Sequence, residues 1–310
     1  MTALLALLVT GGFAAAIAVA HAGAAGPMLC LGVLVLVAVS AVLLARLARL
    51  GGHRSWRDRS LSLLAPLAFG AVAIALWEVL VIGLAVPLVL LPAPSVIAVR
   101  TVSAAGLLAG DFTQTFLRAV LVGYAIGNAA GFGLALLVDR SPFLRQGLLP
   151  VANLASALPV IGIAPVAVMW FGFDWPSKAA VVALMTFFPM LVHALAGLGA
   201  AGALERDLLR SYAATPVQAL LMLRLPAALP LIFTALKVNA PLALIGAIVA
   251  EFFGSPTQGM GFRITTEAAK LALDLVWAEI LVAAVAGAAF YGLVALAERV
   301  ATFWHPSARA

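Results

Sequence analysis

Long apolar runs separated by short polar stretches are the dominant pattern along this chain of 310 residues. A helix needs about 20 apolar residues to cross a bilayer, and eight runs reach roughly that length. They cover residues 2–22, 27–46, 62–86, 115–138, 148–171, 178–200, 228–251 and 275–297. Because lipid offers no hydrogen-bond partner to the backbone, such runs form helices. The pattern therefore predicts an all-α polytopic membrane protein with about eight transmembrane helices.

The composition agrees with this class of protein. Hydrophobic residues make up 65% of the chain and charged residues 10%, and the mean hydropathy is +1.17. A soluble domain is nearer half apolar and a quarter charged. The net charge of +6 fits basic loops on the cytoplasmic side of a membrane better than a nucleic-acid surface, since no basic stripe is interleaved with aromatic residues.

Basic residues between the spans indicate the orientation of the chain, because Lys and Arg accumulate on the cytoplasmic side of membrane proteins. Twelve basic residues fall on one side and four on the other. The twelve are Arg46, Arg49, Arg54, Arg57, Arg59, Arg140, Arg145, Arg206, Arg210, Arg224, Arg299 and Arg309; the four are Arg100, Lys178, Arg263 and Lys270. We therefore predict that the side with twelve is cytoplasmic and that both termini lie there.

The first part of the chain differs from the rest. Residues 1–50 are bland apolar spans and predict an added transmembrane hairpin, residues 51–61 a cytoplasmic linker, and residues 62–305 the main transmembrane domain. The run at 2–22 also resembles a signal peptide, but it lacks a positively charged start and a second span follows at once, which favours a retained span. The single cysteine, Cys30, excludes a disulfide framework and a cysteine metal site.

One polar segment, from Glu205 to Pro230, interrupts the apolar pattern between two spans. It contains five charged residues: Glu205, Arg206, Asp207, Arg210 and Arg224. A polar, helix-forming interruption in so apolar a chain is where a membrane protein meets a soluble one. We predict that the segment contacts a partner that supplies energy.

Motifs for nucleotide binding or hydrolysis are absent from the sequence. None of the three lysines follows a glycine, so there is no P-loop, and neither His-Glu-x-x-His nor Gly-x-Ser-x-Gly occurs. The four histidines have no metal-ligand spacing. The sequence favours a protein that is not an enzyme and that binds no cofactor or metal itself.

Small residues and prolines mark two of the spans. Gly123, Gly127 and Gly131 recur every four residues, which places three bare backbone patches on one helix face and predicts close helix packing. Pro159 and Pro165 interrupt the fifth span. Broken helices at membrane depth are tolerated where they are buried or line a cavity, so this span indicates either a transport pathway or a structural kink.

Polar and aromatic residues within the spans are candidates for lining a pathway. Charges at membrane depth are costly and usually functional or paired, so Glu78 either lines the pathway or makes a structural hydrogen bond between helices. Glu251, by contrast, is expected to hold the loop that follows it. The pathway candidates are Trp77, Glu78, Asn128, Ser156, Phe187 and Asn239, of which Asn239 is preferred.

The polar segment resembles the cytoplasmic loop of ATP-binding-cassette (ABC) importer permeases. That pattern reads Glu-Ala-Ala, three residues, Gly, nine residues, Ile-x-Leu-Pro. Here Asp207 stands at the Glu, Leu208-Leu209 at the alanines, Ala213 at the Gly and Leu223 at the Ile. Further motifs within residues 60–305 resemble nitrate/sulfonate/taurine-type permeases: Leu76-Trp77-Glu78, Leu91-Pro92-Ala93-Pro94-Ser95, Ala157-Leu158-Pro159, Met169-Trp170-Phe171-Gly172-Phe173, Phe187-Phe188-Pro189, Ser211-Tyr212-Ala213-Ala214-Thr215 and Leu225-Pro226-Ala227-Ala228-Leu229-Pro230.

The resemblance implies a six-helix type I importer core, extended at its N-terminus by the two-helix hairpin, in a bacterial inner membrane. It also implies a second permease copy as a homodimer partner, an external solute-binding protein and two cytoplasmic ATPase subunits that use ATP and Mg²⁺. A short helix from Glu205 to Tyr212 is expected to sit in a cleft of the ATPase. The expected coupling residues are Glu205, Asp207, Leu208, Arg210, Ser211, Tyr212, Ala213, Thr215 and Pro216.

The resemblance is less informative about the substrate. The subfamily handles nitrate-like oxyanions and sulfonates, and relatives take up aromatic vitamin precursors such as the thiamine pyrimidine. Lys237 is the one cation deep in a span while aromatic residues are plentiful, which favours a neutral or aromatic solute. An ion-gradient-driven secondary carrier is the alternative, although no chain of acidic residues crosses the membrane. A membrane scaffold is a third interpretation.

Overall fold

The computed structural model describes residues 56–141, 143–144, 146–147, 150, 160–254 and 257–304, with the backbone alone for 56–68, 160 and 161. Over these ranges the chain forms helices joined by turns and contains no strand. The all-α polytopic class is therefore confirmed. The predicted hairpin at 1–50, residues 51–55 of the predicted linker, and Ser156 lie outside the described residues, and the linker's remaining residues, 56–61, are helical.

Two compact units divide the chain. In its described part, the first unit comprises residues 56–103 and 267–278. Helix α1 (Trp56–Gly83) is its main element, and α2 (Pro94–Ser103) follows after a turn. Ala85 has a φ of +49° in that turn, and the helix therefore ends before the predicted limit of residue 86.

The second unit comprises residues 104–266 and 279–304 of the described chain. The helices Met260–Ala269 and Leu273–Ala301 contribute residues to both units. The elements after α2 are α3 (Ala105–Phe112), a π-helical segment (Thr113–Val120), α4 (Leu121–Asp139), a 3₁₀ turn (Val160–Ile163), α5 (Ala164–Phe171), α6 (Trp175–Leu198), α7 (Ala203–Ser211), α8 (Pro216–Ala219), a second π-helical segment (Leu220–Arg224), α9 (Leu225–Phe252), α10 (Met260–Ala269) and α11 (Leu273–Ala301).

Four helical stretches in the described chain are long and apolar enough to cross a membrane: Ala105–Asp139, Trp175–Leu198, Pro216–Phe252 and Leu273–Ala301. They correspond to the spans predicted at 115–138, 178–200, 228–251 and 275–297. The first and third are longer than predicted because short flanking helices run into them without a break. In both cases a π-helical segment forms the junction.

The fifth predicted span is described only from residue 160 onward. A 3₁₀ turn precedes α5, and Pro165 lies in the first turn of that helix, where its missing N–H costs no intrahelical bond. A helix therefore begins at Ala164 rather than running unbroken through the predicted span.

Helices α4 and α6 pack against each other through the glycine stripe. A Cβ built on Gly127 would lie 2.1 Å from Thr186 Oγ1 and 2.3 Å from the carbonyl oxygen of Ala183. A Cβ on Gly123 would lie 2.5 Å from the carbonyl oxygen of Ala179, and one on Gly131 would lie 2.5 Å from that of Phe187. The predicted close packing is confirmed, and the partner is α6.

A buried polar cluster, here called the Asp111 cluster, holds the turn between α9 and α10. It consists of Asp111, Thr115, Glu251, Gly259 and Arg263. Glu251 accepts hydrogen bonds from Thr115 Oγ1 and from the N–H of Gly261, both at 2.7 Å. Asp111 accepts from the Gly259 N–H at 2.7 Å and from Arg263 Nε at 2.8 Å. The prediction that Glu251 holds the following loop is therefore confirmed.

Candidate coupling segment and solute pathway

The polar segment folds into a short helix, α7, that is exposed on all sides; none of its residues is buried. Glu205 lies in its first turn and Arg210 in its last, an arrangement that complements the helix dipole. Asp207 and Arg210 form an exposed ion pair at 3.3 Å. The predicted helix from Glu205 to Tyr212 is thus present, displaced by about one residue at the C-terminus and two at the N-terminus.

Three large apolar side chains project from α7 and its C-terminal end. Leu204, Leu208 and Tyr212 are spaced four residues apart, which places them on one helix face, and they are 84%, 56% and 77% exposed. They belong to a charged segment between two membrane helices rather than to a lipid-facing span. An exposed apolar row of this kind is typical of surfaces that bind another protein or a membrane.

Residues 211–215 form a rigid corner after α7. The N–H of Ala214 donates to Leu209 O (3.0 Å) and that of Ala213 to Arg210 O (2.9 Å), which is the Schellman arrangement of helix ends. Ala213 carries the left-handed conformation that this motif requires, with a φ of +53°. Ala213 stands at the position where the family pattern has glycine. It therefore adopts the left-handed backbone conformation that glycine favours.

The chain re-enters a helix directly from this corner. Thr215 and Gln218 form a capping box: the N–H of Thr215 donates to Gln218 Oε1 (2.8 Å), and the N–H of Gln218 donates to Thr215 Oγ1 (3.3 Å). Pro216 occupies the first turn of α8, as its fixed φ favours. Thr215 and Pro216, both predicted coupling residues, thus start the helical stretch that becomes α9.

Two of the pathway candidates, Asn128 on α4 and Asn239 on α9, contact each other. Asn239 Nδ2 donates to Asn128 Oδ1 (2.7 Å) and to Thr186 O on α6 (2.8 Å). Asn128 Nδ2 donates to Tyr124 O at 2.7 Å. Asn239 is fully buried, and its Oδ1 has no hydrogen-bond partner among the described residues. In this conformation the pair joins three helices.

Phe187, a third candidate, lines an apolar groove of about 650 Å³ beside α4 and α6. Phe188 lies edge-to-face against it, with ring centroids 5.0 Å apart. Trp175 and Phe171 contribute further aromatic rings, and no charged side chain is among the described residues that line the groove. This surface suits a flat apolar group better than an anion.

Trp77 and Glu78 lie in the first unit, on α1. Glu78 accepts hydrogen bonds from the N–H and Oγ of Ser95, at 2.9 and 2.6 Å, and so satisfies an N–H in the first turn of α2. Trp77 packs edge-to-face on Trp277, with ring centroids 5.0 Å apart. The structural hydrogen bond considered for Glu78 is present; a role for either residue in the pathway stays a prediction.

Several polar residues of the described chain were not among the sequence candidates. The backbone carbonyl oxygen of Thr186 accepts a hydrogen bond from Asn239. Asp111 and Thr115 accept hydrogen bonds from N–H groups at the start of α10. Lys237, the deep cation, is paired with Glu298 on α11 at 2.6 Å. Asp111 lies just outside the run predicted at 115–138 and Thr115 is its first residue, so neither stands out as a polar residue within a span.

Comparison with known proteins decides the family of this chain. The model for the inner membrane component of binding-protein-dependent transport systems matches residues 123–302. The chain belongs to that family. The matched region includes the glycine stripe, helix α7 and the last two membrane helices, so this permease is a multi-pass inner-membrane protein of a transport family, as the resemblance implied.

Individual relatives place the permease among ABC importers. It is 32% identical over 220 residues to a probable ABC transporter permease of Haemophilus influenzae, covering 71% of this chain and 89% of the relative. It is 32% identical to the formylaminopyrimidine transport permease ThiX of Halalkalibacterium halodurans (66% and 81% covered) and 31% identical to the taurine transport permease TauC of Escherichia coli (77% and 90% covered). The permease is the membrane subunit of an ABC importer.

Proposed function

We propose that α7 is the helix through which this permease receives the work of ATP hydrolysis from a cytoplasmic ATPase dimer. The observation that carries the proposal is the exposed row of Leu204, Leu208 and Tyr212 beside the ion pair of Asp207 and Arg210. The apolar row supplies contact area, and the charged pair fixes the register of docking. ATP and Mg²⁺ are bound by the partner, and this chain transmits the movement.

The test compares Tyr212→Ala and Asp207→Arg with wild-type permease, co-expressed with its ATPase subunit. Both variants are expected to insert normally, to retain less ATPase on purification and to lose ATP-dependent uptake in proteoliposomes. Tyr291→Ala is the matched control, because Tyr291 is also an exposed tyrosine but lies on α11. Wild-type uptake in both α7 variants would refute the docking assignment.

The same proposal requires α7 to face the cytoplasm, as the distribution of basic residues predicts. Ser211→Cys in a Cys30→Ala background places a single thiol at the end of α7. A membrane-impermeant maleimide is expected to label it in inverted membrane vesicles and to leave it unlabelled in intact spheroplasts. The opposite pattern would reverse the assigned topology and place both termini outside.

We further propose that the importer contains two copies of this chain and that the groove beside Phe187 faces the solute pathway between them. The support is the groove itself, which is open and apolar on an isolated protomer. Single cysteines at Ala180 and Leu184, which line it, are expected to form disulfide-linked dimers in a Cys30→Ala background. Cysteine at Ile74, an exposed position on α1, is the control; equal cross-linking there would contradict the assignment.

The solute that these features favour is a small neutral aromatic heterocycle, of the kind named for the formylaminopyrimidine relative. The groove contains aromatic rings without a cation. Two cations in the membrane helices of the second unit are also engaged: Lys237 binds Glu298, and Arg118 donates to Gln114 at 3.1 Å. An anionic sulfonate requires a cation or several N–H donors, which this surface lacks.

A thermal-shift screen of the partner binding protein tests this substrate class. Aminopyrimidines are expected to raise its melting temperature, and taurine, alkanesulfonates and nitrate to leave it unchanged. The reconstituted importer is then expected to accumulate the stabilising pyrimidine. Stabilisation by a sulfonate, with uptake of that sulfonate, would overturn the aromatic assignment while leaving the docking of α7 unaffected.

A further inference from the structure

Arg224 ends the second π-helical segment, where the coupling segment (residues 203–224, from α7 through the second π-helical segment) joins α9. Its guanidinium makes three hydrogen bonds to other parts of the second unit. Nε donates to the carbonyl oxygen of Leu198 at 3.1 Å, and Nη2 donates to the same oxygen at 3.0 Å and to Asp139 Oδ1 at 2.7 Å. The acceptors are 26 and 85 residues away in the chain.

Both acceptors are helix C-termini. Leu198 is the last residue of α6, and Asp139 is the last residue of α4. The final carbonyls of a helix have no intrahelical donor and carry the negative end of the helix dipole. A guanidinium placed there satisfies an orphan acceptor and neutralises both the dipole and the carboxylate. The Asp139 side chain is 5% exposed and the Arg224 side chain 24%, so this charge pair is partly shielded from water and salt.

The planar shape of arginine suits this position. Its donors lie in a fixed fork, so one side chain binds a carbonyl and a carboxylate at once, whereas lysine presents a single point charge. Arg224 therefore joins the start of α9 to the ends of α4 and α6, the two helices that meet along the glycine stripe.

The rest of the coupling segment is held much more weakly. None of the residues of α7, α8 and the π-helical segment is buried, so apolar burial contributes little to its position. The π-helical turn just before Arg224 is a local departure from regular helix, of a type frequent at functional sites. The Arg224 hydrogen bonds follow directly after this turn. They therefore determine which membrane helices are displaced when the segment moves.

We propose that Arg224 is the positioning residue that transmits the displacement of α7 to α4 and α6, an inference that rests on the proposed docking of α7. When the ATPase moves α7, the three hydrogen bonds make the C-terminal ends of α4 and α6 follow the start of α9. Without them α9 moves alone, and ATP is hydrolysed without a matching movement of solute.

The experiment measures uptake and ATP hydrolysis on the same proteoliposomes, normalised to assembled complex. Arg224→Gln is expected to retain the ATPase and its hydrolysis, but to lower the uptake per ATP on the order of five-fold or more. Arg224→Lys and Asp139→Asn, which each keep part of the connection, are expected to fall between it and wild type. Arg299→Gln is the control, because Arg299 is an exposed arginine on the last turn of α11.

Two results would overturn the proposal: an unchanged ratio of uptake to hydrolysis in all three variants, or uptake and hydrolysis that fall in parallel with the amount of complex. The second result would mean that Arg224 only stabilises the fold. If Arg224→Gln fails to assemble with the ATPase, the ratio of uptake to hydrolysis in Arg224→Lys and Asp139→Asn tests the proposal instead. Failure of α7 docking gives a different pattern, since Tyr212→Ala then retains the ATPase and transports normally.

Discussion

The Asp111 cluster and the coupling segment are both rich in charge, yet they are built in opposite ways. Asp111, Thr115 and Glu251 are at most 3% exposed, and the two carboxylates each accept bonds from donors far along the chain or across the turn. The charges of α7 are exposed, and the ion pair described there joins residues three positions apart in the same helix.

The difference in burial distinguishes charged residues that stabilise the fold from charged residues that are available to a binding partner. Desolvation of a buried carboxylate is costly unless hydrogen-bond donors compensate it, and the donors to Asp111 and Glu251 fix the chain around them. An exposed pair contributes little to stability and can exchange its partner without loss. Charge alone therefore does not locate a functional surface, whereas charge combined with exposed apolar side chains does.

The largest effect is expected for Glu251→Gln. Its amide group presents a donor where Thr115 and Gly261 already donate, so at least one buried bond is lost. The free energy of unfolding should fall by about 2–4 kcal/mol. Denaturant titration in detergent micelles measures this, and Glu205→Gln, on exposed α7, should change stability by less than about 0.5 kcal/mol. Equal losses would remove the distinction between the two regions.

Gly127→Ala tests whether close backbone packing, and not only charge, distinguishes the interior. Its methyl group would meet the backbone of Ala183, which cannot move aside alone, and we expect a loss of about 1–3 kcal/mol. Gly133→Ala is the matched control, since a Cβ there meets nothing within 4 Å. If both variants unfold alike, α4 and α6 do not pack through the glycine stripe.

Ala213→Gly should act in the opposite direction. Removing the Cβ relieves the left-handed strain at the corner after α7, and we expect a gain of up to about 1 kcal/mol. Ala214→Gly provides the comparison. Because Ala214 has no positive φ, this variant should show no gain in stability. Thermal unfolding of the two variants in the same detergent distinguishes them, and a stabilised Ala214→Gly would argue against strain at Ala213.

The smallest effect on stability is expected for Asp207→Asn, which breaks the exposed pair with Arg210. The change should be below about 0.5 kcal/mol, while retention of the ATPase falls. A stability loss comparable to that of Glu251→Gln would show that α7 is a structural element rather than a docking surface.

The sequence predicted the helical class, the second-unit spans and α7 because each depends on local pattern: apolar length, capping and spacing. It did not predict that Asn239 binds Asn128, 111 residues earlier, or that Arg224 reaches Asp139. Those contacts depend on which helices pack together, and hydropathy carries no such information. A hint was available for Arg224, since Asp139 directly follows the span predicted at 115–138 and Arg224 lies shortly before the span predicted at 228–251.

The corner at residues 211–215 has a mechanical consequence. Its hydrogen bonds and the capping box after it connect α7 directly to the helical stretch Pro216–Phe252. The 37 residues of that stretch reach roughly 55 Å along the helix axis. If α7 docks as proposed, a rotation at the corner displaces the opposite end of this stretch, where Glu251 holds the turn to α10.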